Sequence, residues 1–275
     1  MLQVVISPAK QMQVRADAFA PRGLPPFPAK TSRIVRKLRL IERERGAAGL
    51  KALWGVNDKL LAENIERLHG FECVMDEAQL DDPLVARLLT PAIFSYVGIQ
   101  YRSMAPEVLD LDALDWLQAH LWVLSALYGC VRPFDAVQPY RLEMAAKLEL
   151  DGERGLYAYW GDDIARAVCA GDAGGDGGPV AVVNLASVEY SKAVVPHVPE
   201  GVPVITCIFG EELRRGKPVQ RATASKIARG SMVRWMAENA ACEPDDLKRF
   251  DIGYAYAPEL SSERGDERTL VFMKR

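Results

Sequence analysis

The sequence is short of the residues that carry most enzymatic chemistry. Its three histidines, His69, His120 and His197, are scattered singly. There is no HExxH pair, no GxSxG turn and no GxxxxGK[ST] loop, which excludes zincin, α/β-hydrolase and P-loop chemistry. Five cysteines (Cys73, Cys130, Cys169, Cys207, Cys242) lie far apart with no CxxC pair. They exclude a disulfide framework and read as reduced, mostly buried thiols. No stretch reaches the ~18 apolar residues of a membrane span, and the apolar run Leu2 to Ile6 is too short for a signal peptide. The expectation is a soluble, cytoplasmic chain with no membrane partner. A surplus of either charge is also missing: 34 basic residues face 37 acidic ones, for a net charge of -3. No global field holds nucleic acid, so any such binding needs a local cluster of positive charge.

What is present is ordinary globular material. Hydrophobic residues make up 49% and charged residues 26%, which argues against disorder. Leu2 to Ile6 reads as a buried strand ended by Ser7-Pro8. Pro21 to Pro28, with four prolines, is a loop. Ile34, Leu38 and Ile41 at i, i+4, i+7 predict a helix after Thr31 or Ser32, and Asn57 caps a second with Leu61, Ile65 and Leu68 on one stripe. Asp82 with Pro83 marks a further helix start. Leu114, Leu117, Leu121 and Leu124 predict a broad core helix from Asp112 to Leu127, closed by Gly129 as a C-cap glycine. His120 on that helix reads as a packed, hydrogen-bonded side chain. The glycine-rich run 171–178 reads as a flexible loop between a helix beginning near Asp162 and a strand Val180 to Val183. Strands Val204 to Phe209 and Thr269 to Met273 flank a helix from Thr223 to about Asn239. Strands and helices mix without strict alternation, so the fold class is α+β (mixed α/β), favoured over a Rossmann fold, in one compact domain, residues 1–275.

Four clusters carry chemistry. Lys10, in Ile6-Ser7-Pro8-Ala9-Lys10, stands just past a strand end, where α/β proteins place ligand groups. The second runs from Leu127-Tyr128-Gly129-Cys130-Val131-Arg132-Pro133 to Gln138-Pro139-Tyr140-Arg141-Leu142-Glu143-Met144. Its glycine turn resembles the hairpin of helix-hairpin-helix modules, in which backbone amides meet a phosphate, although Val131 stands where a second glycine is usual. The plain alternative is a C-cap and turn. Arg132 beside Cys130 would lower the thiol's pKa, but a buried structural cysteine is the expectation. The third cluster pairs Tyr159-Trp160-Gly161-Asp162 with Asn184, Ser187, Glu189 and Tyr190 after a strand. If the two strand ends share a sheet edge, Lys10 and this polar set line one cleft. The fourth is the helix after Thr223. Ala224, Ala228, Met232, Trp235 and Met236 cover about 120° of it at ~100° per residue. Lys226 and Arg234 fall opposite and Arg229 lies at the border. Gly230 among them opens the basic face to a phosphate or to another backbone, and a solvated basic face is the plain alternative.

In this order the blocks ISPAK, LYGxxRPxDxxQPYRLEM, YWGD, NLASxEY and KxARGxxxR resemble the YaaA peroxide-stress family over nearly the whole chain. That resemblance implies resistance to hydrogen peroxide by limiting the damage free iron causes. It also implies DNA as partner, duplex or branched and without sequence specificity, held in a positively charged cleft of an unusual α/β fold with a helix-hairpin-helix element. On it, Lys10, Gly129, Arg132, Arg141, Lys226, Arg229 and Arg234 are the candidates for DNA phosphate contact. It implies no cofactor, and the sequence offers no metal site. The alternative is an enzyme acting on a nucleotide or nucleic acid, with Glu143 or Glu189 as acid/base and Tyr190 beside them. In the binding reading those carboxylates orient arginines.

Overall fold

The computed structural model describes residues 1–15, 17, 19–170 and 180–275; the glycine-rich run 171–178 lies outside the described residues. The main sheet takes β1 (Leu2–Ile6), β2 (Leu121–Ser125), β3 (Gly129–Val131), β4 (Ala181–Asn184), β5 (Val204–Gly210), β6 (Tyr254–Tyr256), β7 (Ser262–Arg264) and β8 (Glu267–Lys274). Their order is β6-β8-β5-β4-β1-β2-β3, with β7 also on β8. The five central strands run parallel, with Val4 opposite both Val183 and Leu121, while β3 and β6 are antiparallel edges. Counting the parallel strands alone along the chain, the order is 2-1-3-4-5. The mixed α/β class therefore contains a doubly wound sheet, with its topological switch point between β1 and β4.

Such a sheet is covered on both faces, so its strands read as continuous apolar runs. Every residue of β1 and β2 is buried. Gln3 is a buried polar residue of β1: its Oε1 accepts from Trp122 Nε1 at 2.8 Å and from Arg132 Nη1 at 3.2 Å. Helices α1 (Pro28–Trp54) and α2 (Asp58–His69) form an antiparallel pair. Ile34, Leu38 and Ile41 are buried as the spacing predicts, and the Asn57 side chain caps α2 by accepting from Leu60 N. Proline at the first position opens α1 three residues before Thr31, its missing N–H costing nothing there. Helices α3 (Ile99–Met104), α4 (Leu111–His120), α5 (Leu156–Trp160), α6 (Asp163–Ala170) and α7 (Ala222–Glu238) complete the scaffold.

The predicted core helix over Asp112 to Leu127 is in fact two elements. Helix α4 ends at His120, and β2 begins at Leu121. An apolar run without a polar face satisfies helix and buried strand equally; Leu121, Trp122 and Val123 are decided by the neighbouring β1. The His120 ring packs on Trp116 at 4.4 Å and bonds the Leu2 carbonyl at 2.7 Å, as a core histidine should. Gly129 consequently caps no helix. It begins β3, hydrogen-bonded back to β2 in a tight hairpin, so at this position the chain builds a β-hairpin and not a helix-hairpin-helix.

Candidate functional site

The carboxyl ends of β1 and β4 lie side by side, and a cavity of about 470 Å³ opens there. Its floor is Ser7. The Ser7 carbonyl accepts from Gln100 Nε2 at 3.1 Å and Tyr101 Oη at 3.0 Å, both on α3. Its hydroxyl donates to Ser187 Oγ at 3.1 Å and accepts from Ser187 N at 2.8 Å. The loops after the two switch-point strands are thereby tied to each other. Neither Gln100 nor Tyr101 is signalled by the sequence, because only the tertiary fold brings α3 to the end of β1.

One wall carries Lys10, Arg141 and Glu143. A single oxygen, Glu143 Oε1, lies 2.9 Å from Lys10 Nζ and 2.6 Å from Arg141 Nη2. The carboxylate thus holds two cations in place at the cavity edge, the orienting role a charge-assisted hydrogen bond performs. Nearby, Glu189 Oε1 accepts from Ala145 N at 3.1 Å. Tyr140 contributes its ring; its hydroxyl is engaged by Ser125 Oγ at 2.8 Å and Tyr96 Oη at 3.4 Å. Burial, and after it the neighbouring Tyr140, Glu189 and Glu143, hold the Tyr190 phenol well above the usual range. Tyr190 therefore keeps its proton and can serve as a hydroxyl, not as a base.

Helix α7 also contributes to the lining. Lys226 and Arg229, three residues apart on one helix face, both line the cavity. Among the described residues neither has an acidic partner. Arg229 Nε and Arg141 Nε are buried without a hydrogen-bond partner. Burial lowers the Arg229 pKa, its neighbour Cys207 pulling the other way. The same burial pushes the Cys207 thiol up to about 12, so it supplies no counter-charge. Four cations and two carboxylates line the cavity, a surplus of two positive charges.

Gly230 positions this helix. A methyl group there would meet the Gln100 carbonyl oxygen at 2.0 Å, so α7 packs backbone to backbone on α3. Of the two approaches the sequence left open at Gly230, the structure takes the second: another backbone fills the space.

Three predicted phosphate contacts do not reach the cavity. Gly129, at φ +77°, is buried, and a Cβ there would meet Trp160 at 2.9 Å and Phe27 at 3.1 Å; the glycine serves turn and packing. Arg132 is 6% exposed. Its guanidinium lies 3.8 Å from the Trp122 ring centre and donates to the Ala119 carbonyl at 3.0 Å, joining β2, α4 and β1. Arg234 pairs with Glu238 one turn on, at 2.8 Å, and is absent from the cavity lining. Cys130, buried beside Arg132, has its thiol raised far above the usual range by burial; the arginine's opposing pull is the smaller effect. The five cysteines are free thiols, and among the described residues no three His, Cys, Asp or Glu side chains gather to hold a metal. No described helix is long and apolar enough to cross a membrane.

Comparison with known proteins matches residues 2–260 to the family described as peroxide stress protein YaaA. The chain is 38% identical to a UPF0246 protein of Desulfitobacterium hafniense over 99% of this chain and 98% of that one. It is 41% identical to one of Pediococcus pentosaceus, with 95% of each covered. A third, from Limosilactobacillus fermentum, is 41% identical over 95% of this chain and 97% of its own.

Proposed function

The chain belongs to the YaaA family of peroxide stress proteins, and from that premise we propose that it binds DNA through phosphate contacts, limiting iron-driven oxidative damage. The contacts come from Lys10, Arg141, Lys226 and Arg229. The observation that carries this reading is their convergence on one cavity at the switch point of the sheet, two of them without an acidic partner among the described residues. The protein's net charge is -3, so attraction for a polyanion needs a local cluster such as this one. Because the contacts are to phosphate, the binding is independent of sequence.

Titration of fluorescent duplex, single-stranded and branched DNA at several salt concentrations tests the proposal. Four phosphate contacts give a slope of log affinity on log salt near −3.6 on duplex, at about −0.9 per contact. A Lys10→Ala/Lys226→Ala double variant flattens it by about two units. Absence of binding by the folded wild-type protein at low salt rejects the proposal.

One observation favours a second reading, an enzyme acting on a nucleotide or nucleic-acid substrate. Glu189 lines the cavity, and only its Oε1 is engaged by a described group, which leaves Oε2 to take a proton from a bound substrate. Glu143 is instead engaged by two cations. A Glu189→Gln variant that keeps DNA affinity but loses a measured turnover would establish this reading over simple binding.

A further inference from the structure

A cavity of about 470 Å³ falls in the size range of small-molecule sites, ~300–1,000 Å³. Its surplus of two positive charges exceeds the single negative charge of an internal phosphodiester. A phosphomonoester, carrying about −1.5 to −2 at neutral pH, matches it. Two of the cations, Arg141 and Arg229, are guanidiniums. A planar guanidinium is suited to bidentate recognition of phosphate oxygens, and a phosphate with three terminal oxygens can meet both. Beside polar Ser7, Gln11, Gln100 and Ser187, the lining includes apolar and aromatic side chains, among them Val97, Ile99, Tyr101, Tyr140 and Leu142. Aromatic and aliphatic side chains together with cations in one cavity are the pairing a nucleoside with a phosphate requires, the ring covered by the first and the charge held by the second.

Resting on the reading that this cavity takes phosphate, we propose that it is a seat for a phosphomonoester carried on a nucleoside: the phosphorylated end of a DNA strand or a free nucleoside monophosphate. Arg141 and Arg229 hold the phosphate, Lys226 supplies a further charge at the mouth, and the tyrosines cover the base. The position agrees with the rule that doubly wound sheets bind ligands at the carboxyl ends of the strands flanking the switch point. Here these are β1, leading to Ser7, and β4, leading to Ser187.

Calorimetric titration with deoxynucleoside 5′-monophosphates, the matching nucleosides and inorganic phosphate tests this. Competition by oligonucleotides bearing 5′-phosphate, 3′-phosphate or only hydroxyl ends then separates the two sources. The monophosphate should bind at least about tenfold more tightly than the nucleoside, the discrimination expected when charged hydrogen bonds are lost. Lys226→Ala, at an exposed position, and Arg229→Met should each erase most of that difference, with thermal melting confirming that both variants fold. If phosphorylated ends compete better than hydroxyl ends, the seat takes strand ends; if only the free monophosphate binds, it takes the nucleotide. Equal binding of monophosphate and nucleoside, or a preference untouched by both variants, overturns the proposal. If DNA with hydroxyl ends still binds in that case, the phosphate-contact reading survives alone. A chain that binds the monophosphate but no DNA upholds the seat and removes the DNA reading.

Discussion

Replacing Arg229 by methionine should make the ligand-free protein more stable. Arg229 sits on α7 with its Nε buried and unbonded, no acid among the described residues to pair with, and a pKa lowered chiefly by burial. A lowered pKa on a base means that the fold disfavours the charge. An unfolded guanidinium is charged at every working pH, so the cost is present throughout ordinary buffers. Full burial of an unpaired ion costs several kcal/mol. Arg229 faces a cavity that admits water, so the recoverable part is set at about 1–2 kcal/mol. Methionine keeps the flexible apolar stem and fills the same gap. At ~2.1 cal/mol/K per residue, 275 residues give an unfolding entropy near 0.6 kcal/mol/K, so the gain appears as a rise in Tm of about 2–3 °C. Differential scanning fluorimetry and urea unfolding, both without ligand, measure it. A fall of several degrees would mean that the charge is satisfied in the folded chain, and the account of the cavity as an unfilled anion site would fail.

Other substitutions test the surrounding framework. Gly230→Ala places a methyl against the Gln100 carbonyl and should cost at least about 3 kcal/mol, beyond the usual range of overpacking; a change below about 0.5 kcal/mol in urea unfolding would contradict the close contact of α7 and α3. Glu143→Gln releases Lys10 and Arg141 from their shared carboxylate and should raise low-salt DNA affinity a few-fold, on the order of one unit charge in a screened site. Weaker binding would show that orienting the two cations matters more than freeing them. Brief alkylation of the folded protein at pH 8 should label exposed Cys242 and leave Cys130 untouched, as peptide mass spectrometry reads; labelling of Cys130 at a comparable rate would refute its burial.

Much of this architecture was legible locally. The Asn57 cap, the Asp82-Pro83 helix start and the strand Leu2–Ile6 follow from side chains acting on their own backbone. The adjacency of Lys10 to Ser187, Glu189 and Tyr190 followed from two strand ends, once β1 and β4 proved to be neighbours. What sequence could not resolve was decided at long range. Leu121–Ser125 pairs with β1, more than a hundred residues earlier. Arg132 is an exposed-looking arginine in a proline-bounded turn, yet Trp122 and Gln3 bury it. The charge of Arg234 is answered by Glu238 one turn on, a pairing that helical spacing alone could have foreseen. Residues that read as one basic constellation therefore divide into a cavity lining and a structural remainder.

The place of β1 in the sheet also bears on how the protein is made. This strand is synthesised well before its two neighbours, β2 and β4, which begin at residues 121 and 181. At about 5–20 residues per second, β1 waits roughly 10–40 s for its second partner. For the first part of that interval, until Leu121–Ser125 is made, Leu2, Val4, Val5 and Ile6 have no sheet to enter, and afterwards one edge stays open; an unpaired apolar strand invites association with other nascent chains. Completion of the sheet around β1 is thus deferred until Asn184 has been synthesised, which makes the nascent protein a natural client for chaperones that shield unpaired apolar strands.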